Sequence, residues 1–197
     1  MVAPPEIALQ RRPERSRLLA VALAFLLAAA SLPFFADPAI PAALGPINPR
    51  PGSWAEYLVR TRGREDVRVR ATVLPAEGEG RYWLELTAAG ESGIASAARV
   101  LIEGDRPWPA NVGRMYVMLA AQQPVEIPLD RIRLALPRST ARVPVRVWRA
   151  RSVPLWGLVK ARSPRQSVEL LTSGTAGGHS VFPPGWDQGN GRESAKR

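Results

Sequence analysis

Between residues 53 and 173 apolar and polar positions alternate with a period of two, the pattern of strands that bury one face. Val67, Val69, Ala71 and Val73 alternate with Arg68, Arg70 and Thr72, which sends valines to one face and arginines to the other. Val143, Val145 and Val147 alternate in the same way with Arg142, Pro144 and Arg146. Pro144 lacks an amide hydrogen for a neighbouring strand, which assigns this run to a sheet edge or a bulge. Turn clusters at 62–65, 76–80, 88–93 and 104–111 separate the runs. The pattern predicts nine strands, near 53–61, 66–74, 81–88, 97–103, 113–120, 124–128, 143–149, 155–161 and 167–173. Connections this short suit antiparallel neighbours, because a parallel crossover needs about a dozen residues or more. Ile94, Ala97, Ala98 and Leu101 also lie at helical spacing, so the fourth segment is open to either reading.

Several of these strands are apolar on both faces: Tyr57-Leu58-Val59, Tyr82-Trp83-Leu84, Val100-Leu101-Ile102, Met115 to Leu119, and Leu155 to Val159. With little helix to cover them, both faces are protected by curling the sheet. The expected fold class is mainly β: a strongly curved antiparallel sheet, an incomplete barrel with an apolar concave side. That interior is either a filled core or a surface that accepts an apolar ligand. Trp54, Tyr57, Trp83, Met115, Val117 and Trp156 are the candidate ligand-facing residues.

The flanks read differently. Arg11, Arg12, Arg15 and Arg17 precede an uncharged run from Leu18 to Ala30, the layout of a secretory signal. Extended to Ala36 the run reaches 19 residues, about the length a membrane-spanning helix needs. Residues 1–36 are therefore a signal peptide or an N-terminal membrane anchor. In both cases the arginines favour the cytoplasmic side and the remainder is exported, periplasmic or held at the inner membrane facing the periplasm. Five prolines in residues 37–51 predict an extended linker. The β domain then occupies 52–173, and 174–197, rich in glycine, reads as a flexible tail.

Composition narrows the chemistry. There is no cysteine and one histidine, which excludes disulfides, thiolate nucleophiles and metal centres needing thiolates or two imidazoles. His179 lies among Gly177, Gly178 and Ser180, a context that does not hold an imidazole in place for catalysis. Glu65 with Asp66, and Glu77 with Glu79, fall in turns where solvated charge is the ordinary state. No catalytic residue, metal site or cofactor is expected, and the reading is non-enzymatic. Net charge is +10, and every base except Lys160 and Lys196 is arginine. Residues 131–167 carry ten bases and no acid, with Trp148 and Trp156 interleaved. For an exported domain the anionic neighbours are phospholipid headgroups or envelope polymers rather than nucleic acid. Arg142, Arg146 and Arg149 are the candidate anion-contacting residues, the rival reading being a solvated face.

Certain stretches resemble a known group. Gly52-Ser53-Trp54-Ala55-Glu56-Tyr57, Gly113-Arg114-Met115-Tyr116-Val117 leading to Pro124-Val125-Glu126-Ile127-Pro128-Leu129, and Val153-Pro154-Leu155-Trp156-Gly157-Leu158-Val159-Lys160 followed by Val168-Glu169-Leu170 are similar to landmarks of uncharacterised exported bacterial proteins that in turn resemble the lipoprotein-carrier (Lol-type) superfamily. The resemblance spans 52 to 178. It implies an antiparallel half-barrel whose concave side holds acyl chains of lipid or lipoprotein, without catalysis or metal. One departure is a shorter stretch between the second and third landmarks, where only 130–151 intervenes. The alternative is a filled β-domain acting as a structural or protein-interaction module at the membrane.

Overall fold

All nine segments predicted from the alternation are strands in the computed structural model, which describes residues 39–44, 47–90, 93–104, 111–119, 122–127 and 144–185. They are β1 Trp54–Thr61, β2 Val67–Pro75, β3 Arg81–Gly90, β4 Gly93–Glu103, β5 Val112–Leu119, β6 Val125–Ile127, β7 Arg146–Arg149, β8 Leu158–Arg162 and β9 Gln166–Gly174. Every pairing is antiparallel, and one sheet results with the order β6-β5-β4-β3-β2-β1-β9-β8-β7. Strands β1 to β6 run as a meander. Strands β7 to β9 form a second meander, which joins the first where β9 pairs with β1. Strands β6 and β7 are the two edges, so the sheet is an open, half-barrel-like surface and not a closed barrel.

The two-way reading of the fourth segment resolves as strand. Gly93–Glu103 is paired along one side to β3 and along the other to β5, and a helix there would leave the backbone groups of both neighbours without partners. Pro144 lies just before β7, an edge strand of four residues with a bulge opposite Trp148 and Arg149, where a missing amide hydrogen is tolerated.

The pleat sorts the side chains into two sets. On the inner face Ala55, Tyr57 and Val59 of β1 meet Val69, Ala71 and Val73 of β2, Leu84 and Leu86 of β3, Val100 and Ile102 of β4, and Leu158, Ala161 and Val168 of β8 and β9 in one buried cluster. On the outer face of the middle strands a smaller cluster gathers Ala97, Tyr116 and Phe182, with Trp83, Met118 and Val181 against it. Strands β3 and β4 are thus buried on both sides, as their continuous apolar runs predict.

Two flanking expectations need correction. The linker expected over 37–51 contains a helix, α1 (Ala39–Leu44), and Asn48 bridges to Leu155. Pro41 does not prevent the helix because it falls in the first turn, where amides have no intrahelical acceptor. The tail expected from 174 is instead laid on the sheet over 176–182. Trp54 Nε1 donates to Ala176 O, Gly178 N donates to Gly52 O, and Phe182 is buried. Glycine is required at 178 by close approach, since a Cβ there would lie 2.7 Å from Gly52 O and from Thr72 Cγ2. Residues 1–36, Arg142 and residues 186–197 lie outside the described residues. Among the described residues no helix is long and apolar enough to cross a membrane.

Candidate functional site

The inner face is where α1 enters the fold. Ile40 and Leu44 stand one helical turn apart and so project from one side of α1. Both belong to the inner cluster, at 0% and 3% exposure. The other end of the attachment is electrostatic. Arg149 Nη2 donates to Ala43 O at 2.9 Å and to Leu44 O at 2.8 Å. These carbonyls belong to the last turn, whose acceptors have no partner within the helix and which carries partial negative charge. Leu155 completes this corner. It adopts φ +63°, a left-handed conformation uncommon for a residue with a Cβ, while its side chain is buried in the cluster and its carbonyl accepts from Asn48 N at 2.9 Å.

The six aromatic and apolar candidates divide between the two faces. Tyr57 and Val117 are buried in the inner cluster, and Met115 and Trp156 pack against it. Burial pushes the Tyr57 phenol above its ordinary pKa, so it is neutral across the physiological range. Trp54 and Trp83 lie on the other side. Trp54 carries the Arg70 guanidinium 4.1 Å from its ring centroid, and Trp83 packs in the outer cluster with its ring 5.9 Å from that of Tyr116. Both are excluded from an inner ligand surface.

The arginine candidates separate too. Arg146 is exposed on β7. Arg149, two positions after the inward-packed Val147, is turned to the carbonyls of α1, so its donors serve the fold. Arg142 lies outside the described residues.

A buried ionic site on the outer face was not singled out from the sequence. Glu85 of β3 and Arg99 of β4 are direct cross-strand partners. Glu85 Oε2 accepts from Arg99 Nε at 3.0 Å and Nη2 at 2.9 Å, and from Ser180 Oγ at 2.9 Å, while Oε1 accepts from Val181 N at 2.8 Å. Arg99 also bonds Ser180 Oγ and stacks 4.6 Å from the Phe182 ring centroid. One carboxylate thereby ties together β3, β4 and the segment after β9. The signal was a single charge inside each of two apolar runs, Leu84-Glu85-Leu86 and Ala98-Arg99-Val100.

Toward β8 and β9 the outer face is solvated and charged. Glu169 pairs with Lys160 at 2.5 Å and with Arg60 at 2.9 Å, and Arg60 also reaches Asp66 at 3.0 Å. Hydrogen bonds from Lys160 first and Arg60 second hold the Glu169 carboxyl below the ordinary range. The Arg60 guanidinium is raised by its bonds to Glu169 and then Asp66. Comparison with protein-family models, curated proteins and solved structures finds no match to this chain.

Proposed function

We propose that this chain is a non-enzymatic cell-envelope domain whose inner apolar face holds acyl chains of lipid or lipoprotein in exchange for its own helix α1. The observation that carries the reading is the seat of α1. An open sheet presents a continuous apolar face, and part of its cover is a helix of six residues. Burying Ile40 and Leu44 contributes about 1.5–3 kcal/mol each. Ordering the helix backbone opposes this by about 1–2 kcal/mol per residue, so α1 is held weakly. An acyl chain gains about 0.8 kcal/mol per buried methylene, and about four to eight methylenes match the two side chains. Export is supported by Arg11 to Arg17 before the apolar run from Leu18, and the acyl-chain class by the resemblance to lipoprotein carriers.

A second reading, a filled β-domain serving as a structural or protein-interaction module, is favoured by the full burial of Tyr57, Val59, Val69, Ala71, Val73 and Leu158. Native mass spectrometry of the full chain extracted from its own envelope separates the two. Lipid-sized adducts are expected on the parent and at higher occupancy on Ile40→Ala. Absence of adducts from both would refute acyl-chain binding and leave the filled module.

A further inference from the structure

The outer face of β7, β8 and β9 carries charge that the fold does not neutralise. Cross-strand register sets Arg146 opposite Arg162, Arg162 opposite Ser167, and Ser167 opposite Arg60. The next row along the same strands, Val147, Ala161, Val168 and Val59, belongs to the inner cluster, so the arginine row points outward. Arginines directly opposite across an antiparallel pair repel one another. The carboxylates of this region do not relieve them, because Glu169 is engaged by Lys160 and Arg60, and Asp66 by Arg60. Among the described residues Arg146, Arg162 and Arg165 form no ion pair. Beside the row, an open hollow of about 170 Å³ is lined by Arg60, Arg162, Ser163, Arg165, Gln166 and Ser167. Arg146 extends the row from the edge strand.

We propose that Arg146, Arg162 and Arg165, with Ser167 between the strands, form a binding site for a phosphate oxyanion, presented by net-anionic lipid headgroups. Guanidinium forks match the oxygen spacing of phosphate and bond it in pairs, and a phosphate between Arg146 and Arg162 turns a repulsive pair into a bridged one. The surroundings favour a headgroup as the source. Trp148, opposite Lys160 in the next outward-facing row, is 45% exposed, and Val159 and Leu171, both displaced by bulges, are 37% and 46% exposed. An aromatic ring and aliphatic side chains exposed on the strands that carry the arginines suit the boundary between headgroups and acyl chains. The site is on the opposite face from α1 and does not rest on acyl-chain binding by the inner surface.

The test uses the full chain held in lipid nanodiscs, with thermal unfolding followed in inorganic phosphate and in chloride at equal ionic strength. In phosphatidylcholine discs phosphate is expected to raise the melting temperature above chloride. Arg146→Gln with Arg162→Gln should weaken the apparent phosphate affinity about tenfold or more, as loss of charge-assisted bonds does. Arg114→Gln, which removes one exposed charge on β5, should change it less than about twofold. Without phosphate the double variant should melt at or above the parent, because a repulsive pair is gone. In discs containing phosphatidylglycerol the phosphate response should shrink, headgroups already occupying the site; an unchanged response would assign it to free phosphate instead. Equal melting in phosphate and chloride, an equal loss in Arg114→Gln, or a double variant that melts well below the parent would overturn the site.

Discussion

Glu85 shows what a single buried charge does in this fold. Its side chain is 1% exposed and that of Arg99 9%, so each would be an uncompensated ion without the other. Removing one member of such a pair costs about 3–5 kcal/mol, whereas replacing both with apolar residues of similar size is often close to neutral. Denaturant unfolding of Glu85→Ala and Arg99→Ala should therefore show losses of that size, and Glu85→Leu with Arg99→Met a much smaller one. Single losses below about 1 kcal/mol would show that the pair does not hold the outer face. The faces of individual residues were partly legible in the sequence. Trp54 and Tyr57 stand three positions apart, an odd spacing that puts them on opposite sides of any regular strand, so parity alone separates them. Size and aromaticity alone do not distinguish the two faces. Arg149 is legible by the same parity, because it stands two positions after the inward-packed Val147 and so turns toward α1, while Arg146 turns outward.

The strands were legible as elements, the short flanking pieces were not. Period-two valines and the turn clusters specify β1 to β9 because each strand carries its own buried face in local sequence. Helix α1 has no such signature. Six residues with Pro41 among them form a helix only because Ile40 and Leu44 find the inner face and Arg149 finds the last carbonyls. The segment over 175–185 misleads in the other direction, since its glycines suggest a free tail while Gly178 serves to bring two backbones together. Phe182 is its anchor, buried with Trp83 and Tyr116. Phe182→Ala should cost about 3 kcal/mol, the low end for a buried phenylalanine, and should speed proteolysis within 175–185. An unchanged melting temperature together with unchanged cleavage would show that this segment contributes no stability.

At the scale of the molecule, the sheet order has one non-local step. The return of β9 to the side of β1 joins two local meanders over more than a hundred residues, and hairpin-length spacing gives no sign of it. That step leaves β6 and β7 as edges and sets α1, anchored by Arg149 of β7, against the inner surface. The proposed function requires that α1 and an acyl chain exclude one another on that surface. Hydrogen exchange of the full chain, measured with and without a saturating long-chain fatty acid, tests this directly. Amides of 39–44 are expected to exchange faster when the fatty acid is bound, while β2 and β3 keep or gain protection. Binding that leaves 39–44 unchanged or more protected would contradict the claim.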